Sequence, residues 1–153
     1  MPTPSERLRV LGLTLPAVPS PAGAYVPARR CGTLVFTAGQ IPLVDGRLAA
    51  TGKVGTDVGV DQAAELARIC ALNGLAAIDD LVGIDAVTGV VKVVGYVASA
   101  PGFTAQPAVL NGASQLLAEV FGDSGAHARS AVGVAELPLG APVEVELIVE
   151  VAT

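Results

Sequence analysis

The chain predicts a single α+β domain, one mixed sheet with two long helices packed on one face. Three observations predict it. Strand-like and helix-like periodicities alternate in the order β-β-α-β-α-β-β behind a short N-terminal helix. The 153 residues suit one domain and can bury a real core. No linker, repeat or low-complexity block divides residues 1–153.

The elements follow in order. Ser5–Leu11 reads as a short helix with Glu6, Arg7 and Arg9 exposed. LPAVPSPAGA is loop, because its prolines forbid regular structure, and residues 1–24 form an N-terminal extension. TLVFTAGQIP reads as a strand ending at Gly39 and Pro42. Asp45-Gly46 is a hairpin turn signal, which predicts a short strand near Leu48–Thr51. Asp61 is the expected N-cap of the first long helix, where Leu66, Ile69, Leu72 or Asn73, and Ala76 recur at helical spacing. AVTGVVKVVGYVAS is a valine-rich strand whose nearly unbroken apolar run predicts burial on both faces, with Lys92 the exception. QPAVLNGASQLLAEVFG is the second long helix, with Leu110, Ala113, Leu116, Leu117, Val120 and Phe121 on one face and Gly122 as C-cap. Two strands close the chain, Ser130–Leu137 and Val143–Val151.

Composition narrows the function. Hydrophobic residues make up 52% and charged residues 15%, an apolar chain for a soluble domain. No apolar run reaches about 18 residues without a Gly, Pro or charge, so no membrane span is expected. MPTPSERLRV lacks the basic-then-apolar pattern of a secretory signal, and a cytoplasmic chain is the expectation. The surplus apolar surface points to burial between subunits. A net charge of −5 disfavours nucleic-acid binding, since an acidic surface repels phosphate. Cys31 and Cys70 are far apart and in no metal spacing, and read as buried free thiols in a reducing compartment. His127 is the one histidine, which argues against a zinc site or a Ser/His/Asp triad, and reads as a loop residue near a cleft mouth.

The chemistry gathers in the last two strands. In the final strand Val143, Val145, Leu147, Val149 and Val151 share one face, and Glu144, Glu146, Ile148 and Glu150 the other. Arg129 shares a face with Ala131, Gly133 and Ala135, groups small enough to admit a ligand. If the two strands form a hairpin, a glutamate of the last strand lies near Arg129. Two readings stand: an Arg–Glu ion pair at a sheet edge, or a cation that clamps a carboxylate with two parallel hydrogen bonds. Lys92 is expected to pair with a glutamate of the last strand, and Glu146 and Glu150 read as interface or solvent acids.

Two segments carry a resemblance. ARSAVGVAELPLGAPVEVELIVEV resembles the closing signature of the RidA/YjgF family, also known as L-PSP endoribonuclease-like proteins. GTLVFTAGQIPLVDGRL resembles that family's strand–Ser-Gly-Gln-Ile-Pro–turn segment, and the similarity runs from about Tyr25 to Ala152. The resemblance implies a chorismate-mutase-like α+β fold and a homotrimer, its sheets forming a central barrel and its ligands bound in clefts between subunits. Similar members hydrolyse reactive 2-imino acids and enamines to 2-oxo acids and ammonia. By resemblance, Arg129 binds the substrate carboxylate and Glu144 orients the attacking water. Tyr25 walls the cleft from a neighbouring subunit, and the backbone of Gly39 lines it. Asn111 matches the family's helix asparagine across an alignment gap.

An iminium carbon is already electrophilic, so neither metal nor cofactor is expected. Positioning and one proton acceptor supply the rate. The chain departs from the family where Ala38 replaces the serine of Ser-Gly-Gln and Ala131 replaces a small residue that is often cysteine. With the N-terminal extension and the longer second helix, these mark a divergent subgroup. The leading function is a hydrolase of small 2-imino acids. The alternatives are an endoribonuclease, and a non-enzymatic trimer that binds a carboxylate metabolite or a partner protein.

Overall fold

The computed structural model describes residues 1–21 and 23–153; Ala22, within the expected proline-rich loop, lies outside the described residues. Helix α1, Pro4–Val10, starts at a capping box in which Thr3 Oγ1 accepts from the Glu6 amide and Glu6 returns a carboxylate to the Thr3 amide. Its Leu8 is buried, and Ser5 donates through both its amide and its hydroxyl to Asp85, which ties the extension to the body of the domain.

The main sheet has five strands: β1 (Ala28–Cys31), β2 (Leu34–Thr37), β5 (Val87–Ala98), β6 (Ala128–Val134) and β7 (Val143–Val151), in the order β1-β2-β7-β5-β6. β5 and β6 run parallel, and the other neighbours are antiparallel. The turn at Asp45-Gly46 forms, with positive φ at both residues, but it joins a separate small hairpin, β3 (Leu43–Val44) and β4 (Arg47–Leu48). The strand expected near Leu48–Thr51 is therefore two residues long and outside the main sheet. The partner of β2 is instead β1, whose sequence Ala-Arg-Arg-Cys lacks the alternation that marks a half-buried strand.

Helices α2 (Val60–Val82) and α3 (Gln106–Phe121) cover one face. Val35, Val93, Val97, Val143, Val145, Leu147 and Val149 point into the helices, where Leu66, Cys70, Ile78, Leu110 and Leu117 meet them. The six-residue apolar stripe expected on α3 is buried in full, and Gly122 is its C-cap with φ 60. α2 starts two residues earlier than expected. Gly59 takes the extended cap conformation, and Asp61 lies in the first turn, where its charge still favours the helix dipole. Ile69 and Leu72 are only half-buried, because the centre of the buried stripe runs through Ala67, Cys70, Asn73, Gly74 and Ala77.

The other face of the sheet carries no helix. Phe36 and Val132 are exposed there, and Val94, Tyr96 and Ile148 are half-buried. β5 is thus buried on one side of a single chain, not both. Lys92 stands opposite Ile148 and forms no ion pair among the described residues. Cys70 is buried, but Cys31 is exposed at the end of an edge strand.

Candidate active site

Register decides which candidate residues meet. β6 and β7 are not a hairpin. The α3 crossover sets β6 parallel beside β5, and β7 pairs with the opposite edge of β5. Arg129 lies in the row Leu147–Val93–Arg129, and Glu144 in the row Glu144–Tyr96–Val132. Paired residues share a face, and neighbouring rows alternate. Val93 and Leu147 are buried against the helices, so Arg129 is on the helix side and Glu144, three rows away, is on the open side. Two strand spacings and three residues put them about 10 Å apart across the sheet and about 10 Å along it. A single chain therefore builds two candidate half-sites.

The first half-site lies between α3 and the edge strand β6. Nη1 of Arg129 donates to Asn111 Oδ1 at 2.9 Å and to Ser114 Oγ at 3.2 Å. Asn111 and Ser114 are three residues apart on α3, one helical turn, and so face the same strand. His127 precedes β6 and shares the alternation of Arg129. Its Nε2 lies 2.9 Å from Ser114 Oγ and its Nδ1 2.7 Å from the Gly125 carbonyl. The structure thus brings together Arg129, Asn111 and His127, which the sequence singled out. It adds Ser114, which the Asn-x-x-Ser spacing on α3 and the His-x-Arg spacing into β6 jointly mark. Ala131, two residues on from Arg129, is half-buried on the same face.

The second half-site lies on the open face. Glu144 is half-buried beside Glu146, and Tyr96 donates its hydroxyl to Glu146 Oε1 at 3.0 Å. Burial, and then the charge of Glu146, push the Glu144 carboxyl above its ordinary value. Burial, and then the bond to Glu146, push the Tyr96 phenol up as well. A Cβ on residue 39 would meet the Glu144 carboxylate, so the glycine lets that side chain lie directly against the backbone at Gly39. Gly39 also borders a cleft of about 70 Å³ lined by Tyr25, Pro27, Gln40, Ile41 and Leu43. Ala38, half-buried, donates its amide to the Pro27 carbonyl at 2.8 Å, which holds the segment bearing Tyr25 against the end of β2.

The remaining candidates fall away from both. Cys70 donates to the Val143 carbonyl over 3.7 Å, and burial pushes its thiol well up, so it packs without nucleophilic character. Glu150 is exposed at the far end of β7. Among the described residues no group of three or more His, Cys, Asp or Glu side chains gathers as metal ligands, and no helix is long and apolar enough to cross a membrane.

The family described as "YjgF/chorismate_mutase-like, putative endoribonuclease" matches residues 5–151. Protein TCP17 of Trypanosoma cruzi is 43% identical over 148 residues, 95% of this chain and 92% of that protein. The crystal structure of Atu1372 from Agrobacterium tumefaciens is 42% identical and superposes with a TM-score of 0.90, over 99% of this chain and 93% of that one. An endoribonuclease-described structure from Shewanella oneidensis, 31% identical, reaches 0.95 over 98% and 100%. E. coli TdcF with bound serine, 28% identical, reaches 0.59 over 89% and 94%. The chain belongs to the YjgF/chorismate mutase-like family.

Proposed function

We propose that the protein is a RidA-like hydrolytic deaminase of small, reactive 2-imino and enamino acids, releasing 2-oxo acids and ammonia. The observation that carries this reading is Arg129. One nitrogen of its guanidinium is held by Asn111 and Ser114, and the rest of the fork remains for a ligand carboxylate. The serine bound in the E. coli TdcF structure carries that group. Glu144, raised above its ordinary value and half out of water, is a stronger base than a free glutamate and suits a group that accepts a proton from an attacking water.

The two half-sites of one chain face opposite sides of its sheet. The active site is therefore completed between copies, Arg129 from one and Glu144 from another, with Tyr25 and Gly39 lining the cleft. The uncovered face of the sheet, with Phe36 and Val132 exposed, is the surface that copies would cover, and a homotrimer is the assembly proposed. The endoribonuclease description attached to the family is a second reading, and the acidic charge of −5 weighs against it.

The test is release of 2-oxobutanoate from freshly generated 2-iminobutanoate, measured against the spontaneous rate. The native protein is expected to accelerate it. Arg129→Ala is expected to lower kcat/KM by about 100-fold, the worth of a charge-assisted bidentate pair. A native rate equal to the spontaneous one, from a folded protein, removes the deaminase reading for this substrate.

A further inference from the structure

Both ring nitrogens of His127 are engaged, and their partners differ in kind. Nδ1 lies 2.7 Å from the Gly125 carbonyl, which only accepts, so in the neutral ring Nδ1 carries the proton and Nε2 accepts. Ser114 Oγ, 2.9 Å from Nε2, then donates its one proton to the ring. A hydroxyl oriented this way turns its lone pairs to its other neighbour, Nη1 of Arg129, 3.2 Å away. The second proton of Nη1 goes to Asn111 Oδ1 at 2.9 Å. The polarity of the whole chain is settled from Gly125 to Asn111. Its effect at the far end is specific. With both protons of Nη1 occupied, the guanidinium has left only the Nε–Nη2 edge, a pair of parallel donors that matches a planar carboxylate.

We infer that Ser114 and His127 are positioning residues for Arg129, holding it by Nη1 so that the Nε–Nη2 edge is presented to a ligand carboxylate. The inference rests on the clamp reading of Arg129 and deepens it. Ser114 acts on the ligand only through Arg129, and His127 only through Ser114.

The test combines titration of the full-length protein with 2-oxobutanoate and nitrogen-15 spectra of the Arg129 side chain, which report guanidinium rotation without any ligand. Ser114→Ala is expected to raise the Kd about tenfold and to merge the separate Nη signals of Arg129 into one. Ser114→Thr, which keeps a hydroxyl, restores both. His127→Gln, whose amide oxygen can stand where Nε2 stands, keeps the Kd within about threefold, whereas His127→Phe behaves as Ser114→Ala does. In the Arg129→Ala background, Ser114→Ala has no further effect on Kd. An Arg129 spectrum unchanged by Ser114→Ala overturns the inference, and so does an additive loss in the double variant. A native protein that fails to bind 2-oxobutanoate while the Arg129 spectrum still responds to Ser114→Ala overturns the carboxylate reading instead.

Discussion

A carboxylate half out of water beside a second carboxylate, as Glu144 is beside Glu146, holds its proton more tightly than a free glutamate. Between the ordinary carboxylate range and its raised value, the folded chain binds more protons than the unfolded one. Stability from this group is therefore full below the ordinary value and is lost as pH rises through the folded one. Glu144→Gln keeps the shape and removes the charge. It is expected to raise the urea midpoint at about pH 7, with the gain shrinking toward about pH 4, where native Glu144 is itself protonated. Urea titrations of both proteins across that range check it, and a gain independent of pH contradicts it. In the proposed mechanism the same variant loses its proton acceptor, so hydrolysis of 2-iminobutanoate is expected to fall about 100-fold. A residue that assists the reaction while weakening the fold is the usual signature of a functional position. Sequence reading reached Glu144 by motif, but its discomfort follows from burial beside Glu146, which only the folded chain shows.

At the scale of elements, α2 and α3 cross where Gly112 meets the backbone of Ala64, with the space for a Cβ at residue 112 taken by the Ala64 carbonyl. Gly112→Val is expected to push the helices apart and cost about 2–3 kcal/mol, read as a lowered denaturant midpoint; an unchanged midpoint contradicts the crossing. Because α3 carries Asn111 and Ser114, the same variant also loosens Arg129. The elements that were legible were those with a clean period. The buried stripe of α3 and the strict alternation of β7 both stand in the structure as read. β1 escaped because Arg29, Arg30 and Cys31 are exposed, leaving no apolar beat to detect. β5 misled because valines occupy both of its faces, and only one of them has helices to meet. The supposed β6–β7 hairpin failed for a topological reason. Local pattern says where strands are, but a third strand inserted between two sequence neighbours leaves no mark on either. The candidate residues were therefore legible individually as candidates, while their division between two faces was not.

The molecule as a whole has two layers: helices shield one side of the sheet, and the other side, where Phe36, Val132 and Ile148 stand among Glu144, Glu146 and Lys92, stays open. The proposed trimer closes it, and its mass by sedimentation should be three times 15.2 kDa. Phe36→Asp places a charge on the uncovered face in the row of Ile148, four residues along β7 from Glu144, and is expected to yield a monomer that retains helical content and loses hydrolysis together with assembly. Sedimentation and circular dichroism check this; a charged variant that stays assembled and active removes the face from the interface. In that proposed trimer the apolar composition, 52% hydrophobic in a chain with few charges, would find its outlet.

The placement of Arg129 and Glu144 on opposite faces has a genetic consequence. In the proposed assembly each active site draws its cation and its acid from different polypeptides, so two crippled alleles can repair one another. Arg129→Ala and Glu144→Gln, each about 100-fold impaired alone, should regain activity when co-expressed. In randomly mixed trimers about a quarter of the sites inherit an intact arginine from one parent and an intact glutamate from the other. Combining both substitutions in a single allele and co-expressing it with either single variant should restore nothing.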